Sequence, residues 1–450
     1  MGRRSIDLSH REYLAVTLPF MLSTVTQPLL GAVDTAVIGM MGEAAAIAGV
    51  SLGANLFNTL YWLFGFLRVS TTGRSASWGR GRGTGEQRRS FYLPLLFAIS
   101  TAAVFLAMWK PVEAGYLWLT GPEQAVADYV RRYFRILIWG APFVLSNYVM
   151  LGWLMGQRRI GAALFMQISG NLINMVLDYL FVRILGCGVE GVAAATLISQ
   201  VYTCICGILG MCRYGRFGLP GGENQKSLWD RESVVGMIQE NRDLLLRTIC
   251  LVMYNNLFAA FSGRLGTALL AVNAIMVQIT SVQAYVFEGI ANGSSVFAGR
   301  AAGAASYSLL RDVIKKTWQW GAAAAVVMTG ISIGAGDRLI GIFTGLSHIR
   351  ELAGRYELYY FLYPVTAFAG LSLYGVYTGS SITRPVFLST LWALLACLPV
   401  SCLGVFFWGN DGLWMGYLAF YGGRSLGLAA YRDCLFMKIQ GRSLPERRTA

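Results

Sequence analysis

Asp34, in the run Val33-Asp34-Thr35-Ala36-Val37-Ile38-Gly39, stands about one turn from the end of an apolar stretch that begins near Tyr13. An ionised carboxylate at membrane depth costs on the order of 3 kcal/mol even on lenient insertion scales. A chain that keeps one there usually uses it, and a proton or a sodium ion is its natural partner. A second acid stands further along, in Asn171-x-x-Asn174-x-x-x-Asp178. Spacings of three and four place these side chains on one helix face. Thr196 follows on the next apolar run. Two carboxylates, amides and a hydroxyl could hold Na⁺ through oxygen ligands, or share a proton, since burial and a like-charged neighbour each favour the protonated acid. The plainer alternative is polar glue between helices, each acid satisfied by an Asn or Ser. Pro19, fifteen residues before Asp34, removes an intrahelical hydrogen bond and can bend the helix. That bend is either a fixed kink or a change of shape tied to protonation of Asp34.

Such residues need helices that cross a bilayer. Of 450 residues, 55% are hydrophobic and only 13% charged, about half the charge of a soluble domain. The apolar residues fall in blocks of about 20 or more, enough to span roughly 30 Å of hydrocarbon. We read twelve spans: 13–38, 45–68, 91–109, 129–151, 161–182 and 189–212, then 244–265, 269–297, 317–335, 356–378, 385–408 and 413–436. The polar stretch from Arg213 to Asn241, with its Pro220-Gly221-Gly222, divides them six and six. The expected fold is therefore an all-α membrane protein with twelve transmembrane helices in two six-helix lobes. Residues 1–212 form the first lobe, 213–241 a cytoplasmic linker, and 242–450 the second lobe with its tail.

The formal net charge is +14, which invites a nucleic-acid reading, but the placement of the charges argues against it. Of the 37 Lys and Arg, 27 fall on loops and span ends of one side. That is the positive-inside bias; it puts both termini in the cytoplasm, in a plasma-membrane protein whose rim meets anionic headgroups. The eight cysteines are scattered, and Cys204-x-Cys206 lacks a His or acid at ligand spacing, so no metal site is expected. Gly79 to Gly85 lacks the G-K-[ST] ending of a phosphate loop, which argues against ATP drive. Met1-Gly2-Arg3-Arg4 looks like a signal n-region, yet the following run is too long for cleavage and reads as the first span.

The halves look like repeats. Pro142, Gly152 and Gly156 in span four match Pro364, Gly375 and Gly379 in span ten at offsets of 222, 223 and 223. Gly42-Glu43-Ala44 matches Gly266-Thr267-Ala268, and Trp78-Gly79-Arg80 resembles Ala298-Gly299-Arg300. Six spans per half insert the same way round, which makes a parallel repeat about an axis along the membrane normal, with a substrate cavity expected between halves.

Val33 to Gly39, then Arg68-Val69-Ser70-Thr71-Thr72-Gly73, then Asn174-x-x-x-Asp178-Tyr179-x-Phe181-Val182 resemble the DinF-like branch of the MATE (multidrug and toxic compound extrusion) transporters. The resemblance covers nearly the whole chain. It implies two bundles forming a V and export of organic, often cationic, compounds against inward H⁺ or Na⁺ flow. It also maps a cation site onto Asp34, Asn174, Asp178 and Thr196, and a bending proline onto Pro19. The second lobe departs from the pattern: Tyr374 stands before Gly375 where relatives have an acid, and span seven offers Asn255-Asn256 without a carboxylate. Glu288 is a possible second acid, and Arg424, deep in span twelve, could pair with it, because buried charges need partners. Trp139, Tyr148, Trp153, Tyr374 and Tyr377 could line a cleft and stack on a flat cation, although helix packing and interface belts explain such aromatics as well.

The reading is a secondary antiporter that exports organic, cationic or amphipathic compounds, with no cofactor beyond the coupling H⁺ or Na⁺. Its partners are a small-molecule substrate and the lipid bilayer, without nucleic acid, and a monomer is the default. One alternative is a lipid-linked oligosaccharide flippase, which would want several arginines in its cleft. Another is a sensor or scaffold that has lost transport, motivated by the missing second-lobe acid. An intramembrane enzyme would need aspartate-rich pairs or a nucleophile with its base, and neither is visible.

Overall fold

A computed structural model describes residues 8–39, 44–77, 84–214, 231–343 and 347–439, while some side chains within the helices, that of Asp34 among them, lie outside the described set. All regular structure among the described residues is helical. By contacts the chain forms two compact units, Thr26–Ile238 and Met1–Val25 with Gln239–Ala450; we call them the first and second units.

The first helix, α1 (His10–Gly39), is continuous through Pro19. In the first unit it is followed by α2 (Ala44–Leu63), α3 (Phe66–Ser77), α4 (Thr84–Ala107), α5 (Trp109–Thr120) and α6 (Gln124–Leu137). A 3₁₀ turn at Ile138–Gly140 leads into α7 (Ala141–Gly156), then α8 (Ile160–Tyr179), a π turn at Leu180–Ile184 and α9 (Gly188–Tyr214). The second unit adds α10 (Arg231–Arg264), α11 (Thr267–Gly303), α12 (Tyr307–Phe343), α13 (Ser347–Gly354), α14 (Glu357–Gly379), α15 (Arg384–Trp408), α16 (Asn410–Ala430) and α17 (Arg432–Ile439).

The expected spans map onto these helices, with breaks that composition did not announce. Span two is α2 plus α3, and span four is α6, the 3₁₀ turn and α7. Helix α5 was not expected; it leaves α4 at 63° immediately after the third span. Among the described residues, seven stretches are long and apolar enough to cross a membrane, and the bent α4–α5 pair makes an eighth. Helices α14 and α16, at 23 and 21 residues, are long enough too. Their many Tyr and Gly residues lower the mean hydropathy without making the surface hostile to lipid. The linker motif Pro220-Gly221-Gly222 and the matched tripeptides at 42–44 and 78–80 fall, wholly or in part, outside the described residues.

The glycine pairs matched in sequence do matched work. A Cβ on Gly152 or Gly156 of α7 would strike α3 at Arg68 and at Thr72 and Ser75, and on Gly375 or Gly379 of α14 it would strike α11 at Ala291 and Ser295. Arg68 and Ala291 are themselves 223 positions apart, as are Thr72 and Ser295. The repeat therefore holds in three dimensions: in each unit two backbones touch where only glycine permits it, the usual device for helix association in lipid.

The first helix departs from the expected lobe boundary at residue 212. Its opening half, through Val25, clusters with Gln239–Ala450. The reason lies on α11, where a Cβ on Gly289 would meet Met21 and one on Gly293 would meet Thr17. Polar contacts fix the register: the Tyr13 hydroxyl lies 2.7 Å from Ser294 Oγ and donates to Thr317 Oγ1 at 3.1 Å, and Thr24 Oγ1 donates to the Tyr285 carbonyl at 2.7 Å. The rest of the second unit is built on aromatics, with Tyr254 stacked on Phe420 at 4.0 Å and Phe258 edge-on to Trp414 at 5.2 Å. Asn273 donates to Ser262 Oγ and Asn410 Oδ1 and accepts from Trp414 Nε1, so a polar group inside this apolar core has its partners.

Candidate functional site

Helix α8 carries three of the residues singled out. Asp178 is 1% exposed and Asn174 6%, while Asn171 is half-buried. Gly170 on the same helix lets α9 come close, since a Cβ there would strike Thr203. The Nδ2 groups of Asn171 and Asn174 are buried without a hydrogen-bond partner among the described residues. Two amide donors on the face of a buried carboxylate form a polar lining inside a hydrocarbon-spanning helix, and buried donors of that kind are costly unless something satisfies them. Asp178 is the penultimate residue of α8, directly before the π turn at Leu180–Ile184. Such turns interrupt the regular i→i−4 ladder and are frequent at functional sites.

Thr196 lies on α9, which packs against α8. Its hydroxyl donates to the Val192 carbonyl of its own helix at 3.0 Å, so its proton is committed there and only its lone pairs face outward. Asp34 lies in α1, where its side chain falls outside the described residues. The structure thus brings Asn171, Asn174 and Asp178 onto one face and places Thr196 on the neighbouring helix. Pro19 is half-buried in the opening half of α1, the half that clusters with the second unit.

The aromatic candidates divide. Trp139 is 62% exposed, and Tyr148 is half-buried. Trp153 and Tyr377 are completely buried inside their own units. Trp153 packs edge-on to Phe91 at 6.3 Å and the Tyr377 hydroxyl donates to the Leu428 carbonyl at 2.6 Å. Trp153 is a core residue that presents no ring face to a ligand, whereas Tyr377 borders a cavity together with Trp318, Leu373 and Leu428. Tyr374 is half-buried with its ring covered by the Arg247 guanidinium at 4.2 Å.

Glu288 is half-buried on α11. The expected pairing with Arg424 is not found: among the described residues no ion pair joins them. Arg424 lies instead over the rings of Phe420 and Tyr421, at 5.7 and 5.4 Å. Charge complementarity alone proposed that pair, and the helix rotation that decides it is not legible in a span whose lipid-facing and core-facing sides are both apolar. Sequence reading also missed Arg247, which sits near the start of an expected span, where a snorkelling arginine is unremarkable.

A bundle of long apolar helices in two internally repeated units, with buried acid and amide groups inside one of them, defines a multi-pass membrane transporter fold. Solved structures agree. An outward-facing multidrug-resistance transporter of the MATE family matches with a TM-score of 0.83 over 98% of both chains at 18% identity. A MOP-superfamily transporter from Pyrococcus furiosus Vc1 (DSM3638) matches at 0.82, over 97% of this chain and 98% of that one, also at 18% identity. The MatE family model matches residues 19–180 and 244–403. Among characterised sequences, the DNA damage-inducible protein F of Escherichia coli (strain K12) is 32% identical over 416 residues, 92% of this chain and 90% of that protein. The chloroplastic DETOXIFICATION 44 protein of Arabidopsis thaliana is 23% identical over 91% of this chain and 79% of its own length. The chain belongs to the MatE family, whose members are transporters and not enzymes.

Proposed function

We propose that this protein is a proton-coupled antiporter that exports organic, cationic or amphipathic compounds by alternating access. Asp34 and Asp178 are its coupling carboxylates, Asn174 and Thr196 line the same site, and Pro19 gives α1 its freedom to bend. The observation that carries the reading is Asp178, a carboxylate 1% exposed in a membrane-crossing helix with amide side chains on the same face. A group so placed is expensive as a permanent charge and inexpensive as an acid that gains and loses a proton. Sodium in the same oxygen-rich lining is the second reading, favoured by the outward lone pairs of Thr196. A plasma-membrane location, cytoplasmic termini and a monomeric state complete the proposal, with no cofactor beyond the coupling ion.

The energetics suffice. A potential of 100 mV supplies about 2.3 kcal/mol per charge moved, which at 1.36 kcal/mol per decade sustains a solute gradient of roughly 50-fold. Substrate and proton need only prefer different states, because each biases the equilibrium by its differential affinity alone. The test is reconstitution in vesicles with an internal pH dye. Addition of an organic-cation substrate such as ethidium should trigger proton efflux from wild-type vesicles and none from Asp34→Asn vesicles. Unchanged proton flux in the variant would overturn the mechanism.

A further inference from the structure

We propose that the second unit contains a buried oxyanion site, formed by Arg247 and Arg424 over an aromatic floor, that takes the carboxylate, sulfonate or phosphate of an amphipathic organic substrate. This rests on the export reading and deepens it, by assigning one end of the substrate its charge. Arg424 is 3% exposed on α16, with its guanidinium facing Phe420 and Tyr421. Arg247 reaches in from α10 over Tyr374 of α14, and its Nε is buried with no hydrogen-bond partner among the described residues. The two cations lie within electrostatic range of each other, and the phenols of Tyr421, Tyr363 and Tyr374 are also within range of Arg424.

No carboxylate pairs with either arginine among the described residues. Asp243, one turn before Arg247, is engaged by Arg242 at 3.2 Å and by Thr383 Oγ1 at 3.3 Å. Asp411, on the same helix as Arg424, accepts from Tyr359 at 2.8 Å. A buried guanidinium with a second, half-buried cation in range and no counter-ion among the described residues is unfavourable in a low-dielectric interior, so an anion entering from outside is strongly favoured there. Ring faces satisfy the planes of the guanidinium groups and leave their N–H edges in need of acceptors. Planar donor forks match carboxylate, sulfonate and phosphate oxygens, and the surrounding Phe420, Tyr421 and Tyr374 suit an apolar or aromatic body beside the charge.

The test uses the full chain in phosphatidylcholine nanodiscs, titrated calorimetrically with naphthalene-2-sulfonate and with neutral 2-naphthol. The sulfonate should bind at least about tenfold more tightly than the naphthol, as charge-assisted bonds to a buried guanidinium require. Arg247→Gln and Arg424→Gln should each abolish that preference, and Arg424→Lys should retain part of it. Both Gln variants should melt no lower than the parent, since each removes one member of a repulsive pair. Equal binding of the two naphthalenes by the unaltered protein overturns the site, and decides the matter even for a variant that fails to fold. A sulfonate preference that survives both Gln variants overturns it as well. Nanodiscs containing phosphatidylglycerol separate the sources of the oxyanion. Unchanged sulfonate affinity supports a substrate group, whereas strong competition gives the site to a lipid headgroup and overturns the substrate assignment. Equilibrium binding needs no proton gradient, so this result and the Asp34→Asn flux result can fail independently.

Discussion

The two units share a packing scheme and differ in their chemistry. Gly152 and Gly156 set α7 against α3 as Gly375 and Gly379 set α14 against α11, with a constant register of 223 residues. At the same offset, however, Asn171, Asn174 and Asp178 of the first unit become Leu394, Cys397 and Ser401 of the second. The second unit, in turn, buries Arg424, with Arg247 within electrostatic range of it, where the position of the first unit matched to Arg424 holds Val201. Duplicated helices thus keep their contacts, because a Cβ at those glycines has nowhere to go, while the polar interior is free to diverge. One unit has acids and amides suited to a cation; the other has guanidinium groups suited to an anion.

The sharpest way to break that contrast is to remove the acid and its counterpart separately. Asp178→Asn should collapse the substrate ratio held by a 100 mV gradient from roughly 50-fold to near unity, since no net charge is then coupled to the swing. Ser401→Ala should leave that ratio within about twofold and change stability by less than about 1 kcal/mol, because its buried hydroxyl has no hydrogen-bond partner to lose among the described residues. Dye-accumulation assays in energised vesicles read the first quantity and denaturation in mixed micelles the second. Equal losses in the two variants would mean that both units couple, and the asymmetry would be false.

The shared scheme predicts the next largest effect. Gly375→Val drives a branched side chain into the Ala291 backbone, and Gly152→Val does the same at Arg68. Each should destabilise by about 3 kcal/mol, the upper range for overpacking where the neighbour is main chain and cannot rotate away. Near-equal losses in thermal or denaturant midpoints would confirm that the two interfaces are one design used twice. A loss confined to one unit would show that the sequence match is deeper than the structural one.

How much of this could be read from the chain depended on what lipid hides. Span existence was plain, because blocks of apolar residues have few other uses at this length. The breaks were not: the step at Gly65 lies in a run that stays apolar on both sides, and the Lys110-Pro111 that follows the bend between Ala107 and Trp109 reads as the end of a span and not as the start of another helix. The membrane makes the outside of a helix as apolar as its core, so which face of α16 carries Arg424 inward leaves no periodic trace. Glu288 was its obvious partner by charge, and Phe420, Tyr421 and Arg247 its neighbours in fact. The placement of α1 with the second unit did leave a signal, the Gly289-x-x-x-Gly293 pair on span eight, a spacing that marks close helix approach.

Thr196 offers the smallest effect and the finest distinction. Its hydroxyl hydrogen is spent on the Val192 carbonyl, so it can donate nothing to a carboxylate; what remains is an oxygen able to accept or to ligate. If the first unit passes a proton between Asp34 and Asp178, Thr196→Val removes no group on the proton's path. Transport should then fall by no more than about threefold, the scale of a lost local bond, with the same indifference to external Na⁺ as the parent. A sodium site would use that oxygen directly, because Na⁺ takes hard oxygen ligands, and the same substitution would then weaken sodium dependence while sparing response to pH. Flux measured against separate Na⁺ and pH gradients in the Thr196→Val protein therefore tells which ion the acids of the first unit are built to carry.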